Sequence, residues 1–186
     1  MRFKGIPIVA AFVTVAFFML PLQVFGASAK ETVEVQVNKV LTTLAEPAFK
    51  DQPRDAKIVK IRSIVNEIFD YTELSKRTLG REWAKFNDQQ QAEFIKLFSD
   101  LLEKTYADRL LSYSNEKVVF DKETVLREGQ VEVTSNIITG DGKKIPLDYR
   151  LISKGSTWGV YDVIIEGISL VKNYRDQFRD ILAKDS

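Results

Sequence analysis

The residues that could support chemistry in this sequence are few, and they concentrate in one stretch near the carboxyl end. Tyr161, Asp162 and Glu166 lie within six residues of one another, and Arg150 lies on the preceding predicted strand. A buried carboxylate beside a tyrosine could serve as a general acid or base in an enzyme pocket. A structural ion pair between Arg150 and Asp162 is the competing interpretation, and the sequence favours it because such pairs also occur in plain ion-pair networks.

The composition restricts the catalytic mechanisms that remain. The chain contains no histidine and no cysteine. It therefore lacks the commonest general base near neutral pH, the commonest zinc ligand, any thiol nucleophile and any disulfide. We also find no glycine-rich phosphate loop and no metal-ligand spacing, so the sequence predicts neither a cofactor nor a metal. An enzyme that uses only carboxylates or a lysine stays open, but the composition disfavours it.

The amino-terminal segment has the pattern of a secretory signal peptide. Arg2 and Lys4 precede an uncharged run from residue 6 to residue 22, and Ala27-Ser28-Ala29 offers a small-residue cleavage site before Lys30. An uncleaved membrane anchor is the alternative. The uncharged run would extend about 25 Å as a helix, which is short of the roughly 30 Å hydrocarbon core. We therefore predict a signal peptide over residues 1–29, and the absence of cysteine excludes a lipoprotein.

The remaining residues 30–186 fit a single domain with a sizeable core. Without Arg2 and Lys4, the chain has 25 basic and 26 acidic residues. This near-neutral balance gives no electrostatic reason to expect a nucleic acid as partner.

Apolar residues recur at helical spacing in five segments, namely 31–44, 55–69, 71–79, 88–111 and 171–182. Asp70 with Glu73, and Asn87 with Gln90, have the spacing of capping boxes. Gly80 follows the third helix and is expected in the left-handed conformation that ends many helices.

After residue 114 the apolar period changes from helical to alternating. It predicts one bent strand or a strand pair over 118–126, followed by strands over 130–138, 145–152 and 158–165. If the loop at 140–142 joins a hairpin, Val133 opposes Tyr149 and Val131 opposes Leu151. If the next turn spans 154–157, Tyr149 opposes Val163, Leu151 opposes Tyr161 and Arg150 opposes Asp162. One sheet face then becomes continuously apolar, comprising Val131, Val133, Ile137, Ile145, Leu147, Tyr149, Leu151, Tyr161, Val163 and Ile165.

Helices first, then an antiparallel sheet, then one helix is an α+β arrangement. It predicts a helical layer packed on the apolar face of a twisted antiparallel sheet. The interior could be a filled core or a cavity for an apolar ligand. Periodicity does not separate the two, and the pattern alone favours the filled core.

Several separated motifs in this order resemble the MlaC family, also called the toluene-tolerance family. The resemblance covers nearly the whole chain after residue 30, and its motifs lie at 69–75 (FDYTELS), 79–83 (LGREW), 98–111, 113–114, 145–150 (IPLDYR), 158–171 (WGVYDVIIEGISLV) and 173–178 (NYRDQF). Motifs that agree in sequence and in order are more specific than any one of them.

The resemblance implies a cone-shaped fold of the nuclear-transport-factor type that encloses a deep pocket for phospholipid acyl chains. It also implies a periplasmic carrier that exchanges lipid with an outer-membrane lipoprotein complex and an inner-membrane ABC transporter complex, and so maintains outer-membrane lipid asymmetry. Part of the family is associated with hopanoids. Combined with the register above, the lipid-binding residues are expected to be Phe69, Phe98, Leu102, Tyr106, Val131, Val133, Ile137, Leu147, Tyr149, Leu151, Tyr161, Val163 and Ile165.

Three hypotheses therefore follow from the sequence. The first is a lipid carrier of the MlaC type without catalysis. The second is an enzyme on a related fold that uses Asp162 or Glu166 with Tyr161. The third is a periplasmic adaptor with a filled core and no ligand.

Overall fold

The computed structural model describes residues 27–112 and 116–184. The predicted signal peptide up to Gly26, and the motif residues 113–114, lie outside these ranges. The described elements are α1 (Ala29–Ala45), α2 (Pro47–Lys50), α3 (Arg54–Val65), α4 (Tyr71–Leu79), a short 3-10 helix (Gly80–Lys85), α5 (Asp88–Leu111), β1 (Lys117–Arg127), β2 (Gln130–Ile138), β3 (Lys144–Lys154), β4 (Thr157–Ile165), β5 (Ile168–Ser169) and α6 (Leu170–Leu182).

The helix starts predicted at Asp70 and Asn87 and the helix end predicted at Leu79-Gly80 are confirmed, but the conformation predicted for Gly80 is wrong. The Asn87 side chain accepts from the Gln90 N–H, and the Gln90 side chain accepts from the Asn87 N–H, which completes the capping box of α5. Asp70 caps α4 by accepting from the Glu73 N–H at 2.9 Å. Gly80 has φ 59° and ψ −119°, which is not the left-handed helical conformation. The chain continues from α4 directly into the 3-10 helix, which begins at Gly80.

The segment after α3 joins the sheet instead of extending the helix. The sequence predicts a helix to Phe69, whereas α3 ends at Val65. Phe69 then forms a parallel bridge with Val160, in which the Asp70 N–H donates to the Val160 carbonyl and the Val160 N–H donates to the Ile68 carbonyl, both at 2.8 Å. These bonds fix the helical layer directly to β4.

The sheet is antiparallel with the order β1-β2-β3-β4-β5, so each strand pairs with its neighbour in sequence. β1 is a single strand with register shifts between Phe120 and Glu123 and between Val125 and Arg127. Of the two predicted alternatives for this region, the bent strand is therefore the observed one. The α+β fold class, with helices packed on an antiparallel sheet, is confirmed.

The predicted pairing of β2 with β3 is confirmed, since Val131 opposes Leu151 and Val133 opposes Tyr149. Between β3 and β4, Tyr149 opposes Val163 and Arg150 opposes Asp162, again as predicted.

The predicted pairing of Leu151 with Tyr161 is wrong. Leu151 opposes Val160, and the register shifts by one residue between Leu151 and Arg150. The two-residue turn pairs Lys154 with Thr157, and this register continues to the pair of Leu151 with Val160. Tyr161 is then the extra residue of a β-bulge, and beyond the bulge Arg150 opposes Asp162 as predicted.

The two sheet faces differ in what covers them. We call inner face the one that carries Val133, Tyr149 and Leu151, and outer face the one that carries Arg150 and Asp162. α1 packs against β1, β2 and β4 on the inner side, and α6 packs against α4 and β4. Within the described ranges, no helix has the length and apolar character needed to cross a bilayer.

Candidate apolar binding cavity

A cavity of about 520 Å³ lies between the inner face and helices α1, α3 and α5. Its volume falls within the roughly 300–1,000 Å³ usual for ligand sites. Aliphatic and aromatic side chains form most of its wall. The filled core that the sequence pattern favours is therefore wrong for this region, because the helical layer stands away from the sheet at this point.

Eight of the thirteen residues predicted to bind lipid line this cavity. They come from the segment after α3, from α5 and from strands β2, β3 and β4, and they are Phe69, Leu102, Tyr106, Ile137, Leu147, Tyr149, Val163 and Ile165. The strand pairing is what brings the five sheet residues together, because residues on opposing strands share a face.

The other five predicted residues lie elsewhere. Val131, Val133 and Leu151 are buried at the same inner face, but in the solid core that also contains Ala29 and Val33 of α1. The first turns of α1 pack on this end of the sheet, and Val33 lies where this packing meets the cavity wall.

Phe98 and Tyr161 leave the cavity for different reasons. Phe98 points into an aromatic cluster with Phe94, Tyr174 and Phe178, which joins α5 to α6. Tyr161 lies on the outer face because of the bulge, with the Arg77 guanidinium 3.8 Å from its ring centroid.

Sequence reasoning missed the helical half of the wall. The missed residues are mainly the apolar stripes of α1 and α3, together with Val160 and Leu170, and they are Val33, Val37, Val40, Leu41, Leu44, Ile58, Ile61, Ile64, Val65, Ile68, Val160 and Leu170. The stripes themselves are visible in the sequence at helical spacing. Spacing shows that such a stripe is buried, but not whether it meets a filled core or a space.

Polar groups line the cavity at a few places only. Arg62 of α3 pairs with Glu103 of α5 and, at 3.4 Å, with Asp100. Burial, and secondarily the Glu103 charge, raises the pKa of the nearby Tyr71 to about 12. Tyr71 therefore stays neutral near pH 7 and offers a hydroxyl, not a charge. The Gln36 Oε1 atom is buried and has no hydrogen-bond partner in the described structure.

The other two tyrosines of the cavity wall, Tyr149 and Tyr106, are also neutral near pH 7. Burial raises the pKa of Tyr149 far above its ordinary value. Burial also raises the pKa of Tyr106. These two tyrosines therefore add no charge to the cavity wall.

The residues proposed for an enzyme do not converge on this cavity. Asp162, with 2% exposure, accepts from the Ser169 hydroxyl at 2.6 Å and from the Val171 N–H at 3.0 Å. It therefore satisfies the first turn of α6, which is a structural role. The Tyr161 hydroxyl donates to Gln130 on the outer face at 3.4 Å, whereas Glu166 lines the cavity on the inner side.

Arg150 completes the structural surroundings of Asp162, with its Nη1 atom 3.5 Å from the Asp162 carboxylate. Among the described residues, there is also no group of three or more acidic side chains placed to hold a metal ion. The arrangement suits the non-covalent binding of an apolar molecule better than it suits catalysis.

Comparison with known proteins gives one matching family and two curated relatives. The sequence profile of the family described as MlaC protein matches residues 34–186. The intermembrane phospholipid transport system binding protein MlaC of Haemophilus influenzae is 30% identical over 153 residues, which cover 75% of this chain and 72% of that protein. The toluene tolerance protein ttg2D of Pseudomonas putida is 26% identical over 126 residues, which cover 67% of this chain and 59% of that protein.

The fold also matches a solved structure. A phospholipid-binding protein from Ralstonia solanacearum, determined in complex with a phospholipid, superimposes with a TM-score of 0.77 at 28% sequence identity. The match covers 86% of this chain and 89% of the other.

Proposed function

Because the chain belongs to the MlaC protein family, we propose that it is a periplasmic phospholipid carrier that holds acyl chains in the inner-face cavity and performs no catalytic step. The observation that carries this proposal is the apolar cavity itself. The phospholipid in the Ralstonia solanacearum structure and the phospholipid transport role named for the Haemophilus influenzae relative support it.

The physics of the cavity fits a carrier. Each methylene removed from water contributes about 0.8 kcal/mol, so an acyl chain in an apolar cavity is held firmly. Because polar groups are few, such a cavity recognises chains by their apolar surface and depends little on the headgroup. Release then requires a partner that opens the cavity or offers a competing one.

The transport route is the finer part of the proposal. We place the carrier between an outer-membrane lipoprotein complex and an inner-membrane ABC transporter complex of the Mla type, where it would maintain the lipid asymmetry of the outer membrane. The Haemophilus influenzae relative supports this route, since its name assigns it to an intermembrane phospholipid transport system.

Export through a cleavable signal peptide over residues 1–29 belongs to the same proposal, with residues 30–186 as the lipid-binding domain. The proposed boundary falls inside the first structured turn. Ser28 is the N-cap of α1, and the Ala27 carbonyl accepts from the Trp158 indole N–H at 3.2 Å. The mature amino terminus can be determined directly from the intact mass of the exported protein.

The test is to purify the protein from a Gram-negative periplasm, extract it with organic solvent and identify the extract by mass spectrometry. We expect near-stoichiometric phospholipid, and the same spectrum would reveal a hopanoid. An extract that is empty, and stays empty after incubation with lipid vesicles, would contradict the proposal.

A matched pair of variants assigns the cargo to the cavity. Ile137 lines the cavity, whereas its neighbour Ile138, which is also half-buried, does not. Ile137→Trp fills space that the cargo needs, and loss of roughly two methylenes of burial should weaken lipid binding about tenfold. Ile138→Trp should leave the lipid content unchanged. Equal loss in both variants would show that the cargo does not occupy this cavity.

A further inference from the structure

A second cavity, of about 430 Å³, lies on the outer face between the sheet, α4 and α6. Among the residues that the structure describes, four cationic side chains line it, from α4, β3 and α6, and Asp162 is the one carboxylate in its wall. The four are Arg77, Arg150, Lys172 and Arg175. Since Arg150 and Asp162 project from the sheet face opposite to the cavity-lining Tyr149 and Val163, this site is separate from the apolar cavity.

The carboxylate in the wall does not neutralise these cations fully. Both oxygens of Asp162 are occupied, one by the Val171 N–H and the other by the Ser169 hydroxyl and Arg150. Asp162 also lies deeply buried, whereas the cationic side chains of α6 are exposed. An anion that enters this cavity therefore reaches the cationic side chains of α6 before it reaches Asp162.

Two of the cations are held in fixed positions by their own partners. Arg77 pairs with Glu73 at 2.7 Å and lies over the Tyr161 ring at 3.8 Å. Arg150 donates from Nε to Glu132 at 2.9 Å. Neither Glu73 nor Glu132 lines the cavity. The two guanidinium groups are thus oriented before any ligand arrives, which lowers the entropy lost on binding.

The two cations of α6 have no carboxylate partner in the part of the chain that the structure describes. Arg175 donates from Nε and Nη2 to the Arg77 backbone carbonyl, at 2.9 and 2.6 Å, so a neutral acceptor positions it and leaves its charge uncompensated. Lys172 makes no side-chain hydrogen bond or ion pair with the described residues, and it stands in the first turn of α6. Unpaired, partly ordered cations around a concave site attract anions.

We propose that this outer-face cavity binds a phosphate-type oxyanion, carried either by the headgroup of an anionic phospholipid at a membrane surface or by a small soluble phosphate. A phosphate presents several oxygens in different directions, which matches guanidinium and ammonium donors arriving from α4, β3 and α6. The proposal does not depend on cargo in the apolar cavity, because the two sites share no charged group.

The first experiment titrates the ¹⁵N-labelled protein with inorganic phosphate at constant ionic strength, with chloride as the reference anion. We expect saturable amide shifts confined to Gly167, Ser169 and Lys172. Lys172→Gln should weaken this binding about tenfold, as expected for loss of a charge-assisted contact. Lys172→Arg should retain it. Lys104→Gln, which removes an exposed lysine of α5, should change it less than about twofold.

The second experiment distinguishes the two sources of the phosphate. Flotation with phosphatidylglycerol vesicles, compared with phosphatidylcholine vesicles, supports a lipid headgroup if Lys172→Gln releases the protein and Lys104→Gln does not. Saturable phosphate binding without vesicle binding supports a soluble phosphate.

The absence of a localised, saturable phosphate shift overturns the proposal, and so does equal weakening by Lys172→Gln and Lys104→Gln. Thermal unfolding and extracted lipid are measured on every variant. Loss of cargo from the apolar cavity is therefore not mistaken for loss of the outer-face site.

Discussion

The inner and outer faces of this sheet are built from the same strands and yet have opposite chemistry. The inner face presents Tyr149 and Val163 to an apolar cavity of about 520 Å³. The outer face presents Arg150 and Asp162, from the next positions on the same strands, to a cationic cavity of about 430 Å³. Alternation along each strand therefore separates an apolar site from a charged one by the thickness of one sheet.

The β-bulge in β4 shows that alternation alone does not achieve this separation. Val160 and Val163 both line the inner-face cavity, although residues three apart on a regular strand lie on opposite faces. The extra residue at Tyr161 allows both valines to face inward and turns the tyrosine ring outward against Arg77. The bulge thus assigns one aromatic ring to the charged side.

Among the substitutions that test the difference between the two faces, we expect the largest loss of stability at Asp162. Asp162→Ala removes the acceptor for the Ser169 hydroxyl and the Val171 N–H and leaves Arg150 without one of its two carboxylates. We expect the free energy of unfolding to fall by about 3 kcal/mol, measured by denaturant unfolding. Asp162→Asn keeps an acceptor and should lose about half as much. Equal losses would show that the charge, not the hydrogen bonding, matters.

Tyr161→Leu tests whether the bulge has separated the two faces. It removes the stacking with Arg77 and the hydrogen bond to Gln130, so we expect a loss of about 1–2 kcal/mol in unfolding free energy. The lipid extracted from the protein should not change. Tyr149→Leu, which alters the cavity wall on the inner face, should change the lipid content. A change in cargo with Tyr161→Leu would mean that its ring reaches the cavity after all.

The sequence predicts the strand order, most of the register and most of the inner-face residues, because period-two alternation and short hairpin turns are local signals. The pairs of Val133 with Tyr149 and of Arg150 with Asp162 were predictable in this way. The bulge was not, since no glycine or proline marks Tyr161. Its position reflects what packs on each face, namely Arg77 outside and the cavity inside.

The cavity and its helical wall could not be predicted from the sequence, for a different reason. The apolar stripes of α1 and α3 were visible, but a stripe that faces an empty space has the same spacing as one that faces a filled core. Phe98 illustrates the limit. Its place on α5 was predicted, but its direction depends on α6, whose Tyr174 ring lies 5.1 Å away in a nearly perpendicular orientation.

A smaller effect is expected where α1 is fixed over the inner face. Ser28 forms a full capping box with Glu31, and the adjacent Ala29 is completely buried in the core beside Val133 and Leu151. Cleavage before Lys30 would remove Ser28, so this prediction is made for protein that begins at Ala27; there Ser28→Ala should lower the free energy of unfolding by about 1 kcal/mol. Ser28→Asp keeps a capping acceptor and should be close to wild type. No difference between the two variants in thermal unfolding would mean that the helix start is held by Ala29 and Trp158 alone.

The smallest effect concerns a repulsive charge on the outer side of β3. Burial, followed by the neighbouring Glu132 and Asp121 carboxylates, raises the pKa of Asp148 above its ordinary value, although the Ser135 N–H donates to it at 3.1 Å and opposes the shift. A carboxyl whose pKa is raised on folding binds its proton more tightly in the folded state. Ionised Asp148 therefore destabilises the protein. The loss of stability grows as the pH rises from the pKa of Asp148 in the unfolded state through its raised pKa in the folded state.

Asp148→Asn retains an acceptor for the Ser135 N–H and removes the charge. We expect the variant to be more stable than wild type at pH 7 by less than about 1 kcal/mol, since the group is partly solvated. The advantage should fade as the pH falls through the folded pKa and vanish below about pH 4, where the wild-type carboxyl is protonated in both states. Denaturant unfolding of both proteins across this range measures the difference. If Asp148→Asn were more stable than wild type by the same amount at all pH values, the gain would come from packing and not from removal of the carboxylate charge.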